Sequence, residues 1–192
     1  MRTPDIKAMQ SRISHSGFPL VIDGQWGPKS AAACQNYLRA MMPNPHPWPT
    51  SDDVSLIRRF GRPGDESNLV NLSVVGLGVK YDGKDCRTIR CHKLVAESLH
   101  RIIDEISGSV HASILTHYAG CYNFRKMRNG HRMSTHSWGI AIDLAPNWNG
   151  NLAPWPSVAT MPLEVMEIFA REGWLSAGAF WGRDSMHYQA ST

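Results

Sequence analysis

Two separate stretches of the chain carry side chains that are suited to metal chemistry. Six residues separate His136 from Asp143, and Asp184 and His187 follow near the C-terminus. Two imidazoles and one carboxylate supply three ligands to a tetrahedral zinc ion and leave the fourth position for water. Water acidified in this way is a nucleophile for an amide. The residues therefore predict a catalytic site for one Zn²⁺, with Asp184 as a spare carboxylate beside it.

The pattern around these residues predicts how they are held. In residues 139–144 apolar side chains alternate with small ones and with Asp143, which is the period of a strand with one apolar face. Asp143 is expected on the opposite face, with His136 reaching in from the preceding loop. Asp184 and His187 are separated by an odd step, so one strand would send them to opposite sides. We therefore expect Asp184 in a turn after Gly182 and His187 on the short strand that follows.

The spacing of these residues resembles a known family. S-x-H-x-x-G-x-A-x-D at residues 134–143, followed by D-x-x-H at 184–187, is similar to a group of zinc peptidases. The group includes D-alanyl-D-alanine carboxypeptidases, vancomycin-resistance dipeptidases and the L-alanoyl-D-glutamate endolysins of bacteriophages. The endolysin type is the closer match, because residues 120–125 (GCYNFR) precede the first motif and an Asp precedes the last His.

The resemblance implies a role for each site residue. It makes His136, Asp143 and His187 the zinc ligands, Asp184 the general acid/base, and Arg125 a residue that holds the substrate or the developing oxyanion. It also implies that Ser134 of the first motif contacts the substrate. These roles agree with amide hydrolysis, which needs a nucleophile, a base, an acid for the departing amine and positive charge at the oxyanion.

The fold class expected is α+β, with a small antiparallel sheet flanked by helices, as in that peptidase fold, and a small all-α segment in front. Helical periodicity predicts helices at residues 93–106 and 162–171, and residues 109–118 are interpreted as a central strand. The family's usual G-W-x-W-G-G run is altered at residues 173–181. The aromatic residues of this stretch, Trp174, Phe180 and Trp181, are predicted to be core residues rather than a platform for substrate.

The first forty residues form a second unit by pattern. Two helical stretches enclose D-G-Q-W-G-P at residues 23–28, an arrangement that resembles the peptidoglycan-binding repeat of wall hydrolases. Trp26 covers a glycan in one interpretation and plugs a small core in the other. The predicted organisation is a peptidoglycan-binding-like segment at 1–42, a Pro-rich linker and connector at 43–69, and a zinc peptidase domain at 70–192.

Composition limits the partners. The net charge of +4 and a pI near 9.0 favour an anionic surface such as peptidoglycan, while the basic residues are scattered and carry no nucleic-acid motif. We expect no nucleic-acid partner, no membrane insertion and a monomer. The first residues do not read as a signal peptide, so we expect synthesis in a host cytoplasm and release to the wall, typically through a holin. The four cysteines are interpreted as reduced, partly buried thiols.

The function expected from the sequence is that of a bacteriolytic phage endolysin, an L-alanyl-D-glutamate endopeptidase that acts on bacterial peptidoglycan. Two alternatives stay open. A D-Ala-D-Ala carboxypeptidase of the same fold would use the same metal motif, with only the pocket walls to distinguish it. A noncatalytic, zinc-stabilised wall-binding module would keep the ligands but would have no need of Asp184.

Overall fold

The computed structural model describes residues 3–128 and 130–192. The α-helices are α1 (Ile6–His15), α2 (Pro28–Met41), α3 (Asp53–Phe60), α4 (Ala96–Ser107), α5 (Pro146–Asn149), α6 (Leu163–Arg171) and α7 (Ala177–Trp181). The strands are β1 (Leu69–Ser73), β2 (Lys80–Tyr81), β3 (Lys84–Asp85), β4 (Thr88–His92), β5 (Tyr118–Gly120), β6 (Ala141–Leu144), β7 (Leu175–Ser176) and β8 (His187–Gln189). Short 3₁₀ helices lie at Glu66–Asn68, Ala112–His117 and Thr135–Trp138.

These strands form two small sheets. β1 and β4 pair as an antiparallel ribbon, and the second sheet has the order β3-β2-β5-β6-β8-β7. Its pairs are antiparallel except that β2 runs parallel to β5. The α+β fold class, with small sheets flanked by helices and a helical segment in front, is therefore confirmed.

The helices that support the sheet follow their apolar periodicity. On α4, Leu99, Ile102, Ile103 and Ile106 recur at helical spacing and are buried. On α6 nearly every residue is buried, and the helix begins after Pro162, whose fixed φ suits a helix start. The helices predicted at 93–106 and 162–171 are confirmed, with α4 beginning three residues later than expected.

The strand predicted at residues 109–118 is wrong. The chain there forms the 3₁₀ helix Ala112–His117, and only Tyr118–Gly120 is strand. The neighbours Ile114 and Leu115 are both buried while Val110 is 93% exposed, so the apolar residues do not alternate between two faces. Ser109 also favours a turn, because its hydroxyl accepts a hydrogen bond from the backbone N–H of His111.

Helices α1 and α2 pack against α6. Glu167 of α6 is buried, and it accepts hydrogen bonds from Arg12 Nε at 2.5 Å, Arg12 Nη2 at 2.6 Å and the Tyr37 hydroxyl at 2.8 Å. Buried residues of the first two helices, including Ile13 and Leu38, belong to the same apolar cluster as α6. The helical segment thus shares a core with the rest of the molecule.

The Pro-rich stretch at 43–49 also makes specific contacts. Trp48 donates its indole N–H to the Glu172 carbonyl and lies edge-on to Trp174, and Pro47 lies against Gly173. Helix α3, which the sequence did not predict, follows with Asp52 as its N-cap. The division into domains at 42 and 69 stays a prediction.

Among the described residues, no helix combines the length and the apolar character that crossing a bilayer requires. All four cysteines are free; Cys34, Cys91 and Cys121 are buried and Cys86 is partly exposed.

Candidate metal centre

Strand register brings two of the candidate ligands together. In the antiparallel pair of β6 and β8, Asp143 lies directly opposite His187. Directly opposite residues place their Cβ atoms about 4.5–5.5 Å apart on the same face of a sheet. The pairing of Ile142 with Tyr188 puts the apolar side chains on the other face, where both are buried. The alternation expected at residues 139–144 therefore directs Asp143 toward His187.

His136 joins them from the 3₁₀ helix Thr135–Trp138. That helix ends at Gly139, which has a φ of +68° in the left-handed region. A Cβ at this position would lie 2.9 Å from the backbone nitrogen of His92, so the backbone of the turn approaches β4 closely. The Gly139 carbonyl accepts a hydrogen bond from that same N–H, which fixes the turn beside the sheet.

The three donor atoms form a nearly equilateral triangle. His136 Nε2 lies 3.2 Å from His187 Nδ1 and 3.3 Å from Asp143 Oδ1, and His187 Nδ1 lies 3.1 Å from the same carboxylate oxygen. Zinc–ligand bonds of 2.0–2.1 Å at the tetrahedral angle require ligand atoms about 3.3 Å apart. The donor set and its dimensions therefore fit one zinc ion.

The second nitrogen of each imidazole has a protein acceptor. His136 Nδ1 lies 2.7 Å from the carbonyl oxygen of Cys121, and His187 Nε2 lies 3.1 Å from the side-chain oxygen of Gln189. When each ring donates its proton there, the nitrogens that face one another carry lone pairs. Two lone pairs and a carboxylate oxygen at such short separations repel one another unless a cation lies between them.

The electrostatics of the cluster agree with cation binding. Burial raises the pKa of Asp143, but its contacts with His136 and His187 outweigh that effect and hold the pKa well below its ordinary range. Burial lowers the pKa of His187, but the contacts with Asp143 and Gln189 raise the pKa by a larger amount, so the net shift is upward. A carboxylate in its charged form beside two imidazoles attracts either a proton or a metal ion to the same place.

Asp184 lies in the turn that precedes β8, as the sequence predicted. The backbone N–H of His187 donates to the Asp184 carbonyl, which closes a four-residue turn, and the φ of Asp184 is +58°. Its Oδ1 atom is buried and has no hydrogen-bond partner among residues 3–128 and 130–192. Burial raises the pKa of this carboxyl. The nearby His187 lowers the pKa and the nearby Asp143 raises it, and the net shift is upward. A buried carboxylate oxygen without a partner is costly for stability, so its presence here points to function.

The Arg125 segment runs along the His136 turn. Ser137 Oγ accepts a hydrogen bond from the Arg125 backbone N–H at 3.0 Å and donates one to the Arg125 carbonyl at 2.8 Å. The Asn123 N–H donates to the His136 carbonyl in the same way. In the described part of the chain the Arg125 guanidinium pairs with no carboxylate, and its only hydrogen bond is a long one to the Lys126 carbonyl.

Ser134 and Trp26, which were expected to contact the substrate and the wall, are both at least partly buried. Ser134 is buried and precedes the His136 turn, and its hydroxyl makes no capping hydrogen bond to that turn. Trp26 is half-buried and lies edge-on to Trp155, with ring centroids 5.2 Å apart. Substrate contact by Ser134 and wall binding by Trp26 stay predictions, and the packing of Trp26 agrees with the alternative of a core plug.

Sequence reasoning missed two residues that shape the centre. Gln189 orients His187 and is itself held by Ser51, whose hydroxyl accepts from Gln189 Nε2 at 2.9 Å. Trp181 stacks on the His187 ring, with centroids 5.7 Å apart and planes inclined by 23°. Trp174 is buried as predicted, but the prediction that Trp181 is a core residue is wrong, because its side chain is 46% exposed at the end of α7. The even spacing of His187 and Gln189 on one strand face was the available signal for Gln189.

Comparison with known proteins relates this geometry to a family. Residues 128–190 match a family model described as D-alanyl-D-alanine carboxypeptidase. The match covers about a third of the chain, and it includes the three donor residues and Asp184 but not Arg125. No match was found among the curated proteins or among the solved structures.

The match and the donor cluster lead to the same class of protein. Peptidases of the matched family are zinc-dependent, and His136, Asp143 and His187 form a group that could hold such an ion. Together they support a zinc metallopeptidase that acts on the stem peptides of peptidoglycan.

Proposed function

We propose that this chain is a peptidoglycan hydrolase of the endolysin type that cleaves the L-Ala–D-Glu amide of the stem peptide. One observation carries the hydrolytic part of the proposal. The triangle of His136, Asp143 and His187 lies near the half-buried Asp184, whose buried Oδ1 has no partner among the described residues. A site that only stabilises a fold has no need of that carboxyl.

The residues divide the chemistry between them. His136, Asp143 and His187 would hold the zinc ion, which when bound supplies a Lewis acid that acidifies water and polarises the amide carbonyl. The carboxylate of Asp184 takes a proton from the attacking water and passes it to the departing amine, so no net proton is gained or lost by the enzyme. Its raised pKa, caused by burial, suits a base that must release the proton again near neutral pH.

Amide hydrolysis also needs positive charge near the developing oxyanion, and Arg125 is the candidate to supply it. Two hydrogen bonds to Ser137 fix its backbone beside the His136 turn, and no carboxylate of the described residues occupies its guanidinium. An arginine in this state is available to a carbonyl oxygen or a carboxylate of the substrate.

Product analysis tests the proposal. The full-length protein is loaded with zinc and incubated with purified peptidoglycan, with and without a chelator, and the released ends are identified by mass spectrometry. New N-terminal D-Glu and C-terminal L-Ala that disappear on chelation would support the endopeptidase. No product in either condition would contradict the hydrolytic function.

The role of Asp184 needs a separate measurement. Asp184→Asn should lower turnover by roughly 10²- to 10⁴-fold, the usual contribution of a general acid/base, while the zinc content stays at one equivalent. Asp104→Asn, on the exposed face of α4, is the matched control and should change neither quantity. Unchanged turnover in Asp184→Asn would exclude the assigned role.

A second candidate function has a specific observation in its favour. The matched family model carries the description D-alanyl-D-alanine carboxypeptidase, and that reaction uses the same chemistry on a different amide. Release of terminal D-Ala in the product analysis, with no new D-Glu ends, would move the assignment to this activity.

The endolysin role itself adds two elements to the proposal. The protein would reach the wall from a host cytoplasm through a membrane lesion such as a holin provides, and residues 1–42 would increase its affinity for the wall. Expression in a bacterial host should cause lysis only with a holin. Trp26→Ala should weaken sedimentation with purified sacculi if the segment binds the wall, and should leave it unchanged if Trp26 only packs on Trp155.

A further inference from the structure

A cleft of about 560 Å³ lies beside the metal centre and has no part in the mechanism above. Among the described residues, all of the lining except Arg128 comes from residues 146–160, a segment that begins with α5 shortly after the end of β6. Pro146, at the near edge, is three residues from Asp143, so their Cα atoms are at most about 11 Å apart. An extended peptide with its amide at the centre covers that distance within about three residues.

The segment that forms the cleft is hydrogen-bonded to the turn that carries Asp184. Asn149 is fully buried; its side-chain oxygen accepts from the backbone N–H of Thr160 at 2.9 Å and from Ser185 Oγ at 3.1 Å. The Asn149 carbonyl accepts a hydrogen bond from the Met186 N–H. One buried asparagine therefore ties the cleft wall to the Asp184–His187 turn, so a group bound in the cleft has a fixed position relative to the base.

The chemistry of the walls is selective. Among the described residues that line the cleft, Arg128 is the one with a charge and none is a carboxylate. In the described ranges 3–128 and 130–192 its guanidinium forms no ion pair with a carboxylate. The other lining residues include the amides Asn147 and Asn151, the hydroxyl residue Thr160, and the apolar side chains of Trp148, Leu152 and Val158. This combination fits a peptide segment that carries one carboxylate, which arginine binds through two parallel hydrogen bonds.

We propose that the cleft is a subsite for a free carboxylate of the peptide substrate, bound by Arg128, next to the scissile amide. The inference rests on the proposed function for the identity of the substrate. Stem peptides offer this chemistry from two sources, the α-carboxylate of D-Glu and the carboxylate at the peptide C-terminus. Amidation of the recognised carboxylate removes the charge with almost no change of size, so the subsite would distinguish amidated from free peptides.

The test uses three synthetic stem peptides: one with both carboxylates free, one amidated at D-Glu and one amidated at the C-terminus. Binding is measured by calorimetry to zinc-loaded Asp184→Asn, so that it does not depend on turnover, and kcat/KM is measured with the unsubstituted enzyme. We expect one of the two amidations to weaken binding roughly 10- to 100-fold, the range of a charge-assisted hydrogen-bond pair. The peptide that loses affinity identifies the carboxylate.

Arg128→Met then connects the preference to the cleft. This variant, combined with Asp184→Asn for the calorimetry, should bind the free and amidated peptides equally, and Arg128→Lys should restore part of the preference. Arg58→Met, an exposed arginine of α3 outside the cleft, removes the same charge and should keep the full preference.

The possible outcomes separate the two proposals. Equal binding of all three peptides, or an Arg128→Met variant that keeps the preference, would overturn the subsite whether or not the enzyme cleaves them. A preference that Arg128→Met abolishes, without hydrolysis of any peptide by the unsubstituted enzyme, would support the subsite and contradict the proposed function.

Discussion

Replacement of Gln189 by methionine should weaken zinc binding without touching a ligand. Gln189 is buried on β8, and its side-chain oxygen lies 3.1 Å from His187 Nε2 and 3.3 Å from the Thr135 hydroxyl. Its amide nitrogen donates to Ser51 Oγ at 2.9 Å, which fixes the orientation of the amide. Methionine keeps the length of the side chain but accepts no strong hydrogen bond, so His187 loses the group that sets its tautomer and its ring orientation.

The size of the effect follows from these contacts. Loss of the partner that orients a metal-bound histidine typically costs 10- to 100-fold in metal affinity, or about 1.4–2.8 kcal/mol. The ring nitrogen of His187 is also left without an acceptor in a buried position, which costs about 1–3 kcal/mol of folding stability. For a chain of this size that cost corresponds to a melting temperature roughly 2–12 °C lower in the zinc-free protein.

Competition with a chromophoric chelator gives the zinc dissociation constant of each variant. Gln189→Glu supplies a carboxylate acceptor in place of the amide and should recover most of the affinity. Gln35→Met makes the same substitution on α2, where the side chain donates to the Ala179 carbonyl, and should leave the zinc affinity unchanged. A zinc affinity in Gln189→Met within about threefold of the unsubstituted protein would refute the orienting role. A lower melting temperature alone would leave Gln189 with a structural role only.

Three further outcomes are expected. Arg12→Ala should destabilise the protein by about 2 kcal/mol, because it leaves Tyr37 as the partner of the buried Glu167. Water partly screens the half-exposed Arg12, which keeps the loss of stability to this size. A melting temperature within about 1 °C of the unsubstituted protein would contradict this contact. A colorimetric thiol reagent at pH 8 should modify Cys86 alone before the protein unfolds. The reason is that burial raises the pKa of both Cys34 and Cys91 to about 12 and that of Cys121 well above its ordinary value. A second thiol that reacts quickly in the folded protein would contradict this expectation. Gly178→Ala would place a Cβ 2.5 Å from Ser185 Cβ and 2.7 Å from Met166 Cε. It should therefore displace the Asp184 turn, destabilise the protein by about 1–3 kcal/mol and lower kcat. Unchanged kcat and melting temperature would show that this packing is wrong.

Sequence reasoning succeeded where a local pattern was sufficient. The alternation at residues 139–144 predicted the strand and the side toward which Asp143 points, and the odd step from Asp184 to His187 predicted the turn before β8. The periodicity of α4 predicted its buried face. In each case the information lies within a few consecutive residues, because it depends on a helical or strand period.

It failed where the answer depends on contacts between distant parts of the chain. Trp181 was assigned to the core from its apolar character, but its position at the end of α7 places it on the exposed side of His187. Gln189 owes its role to the register between β6 and β8 and to Ser51, which lies 138 residues earlier in the chain. The residue pattern within one segment does not show which residues of a distant segment it will contact.

The stretch predicted as linker and connector takes part in the support of the metal centre. Ser51 contacts Gln189 through its hydroxyl and pairs through its backbone N–H with the Thr192 carbonyl, and the Thr192 N–H donates to Pro49. β8 carries His187, is only three residues long and pairs with two other short strands, β6 and β7, so contacts outside the sheet add to what keeps its register. A slip of one residue would turn His187 away from Asp143 and destroy the donor triangle. The contacts at residues 49–51 oppose that slip, so the geometry of the metal centre depends on a segment that lies far from it in sequence.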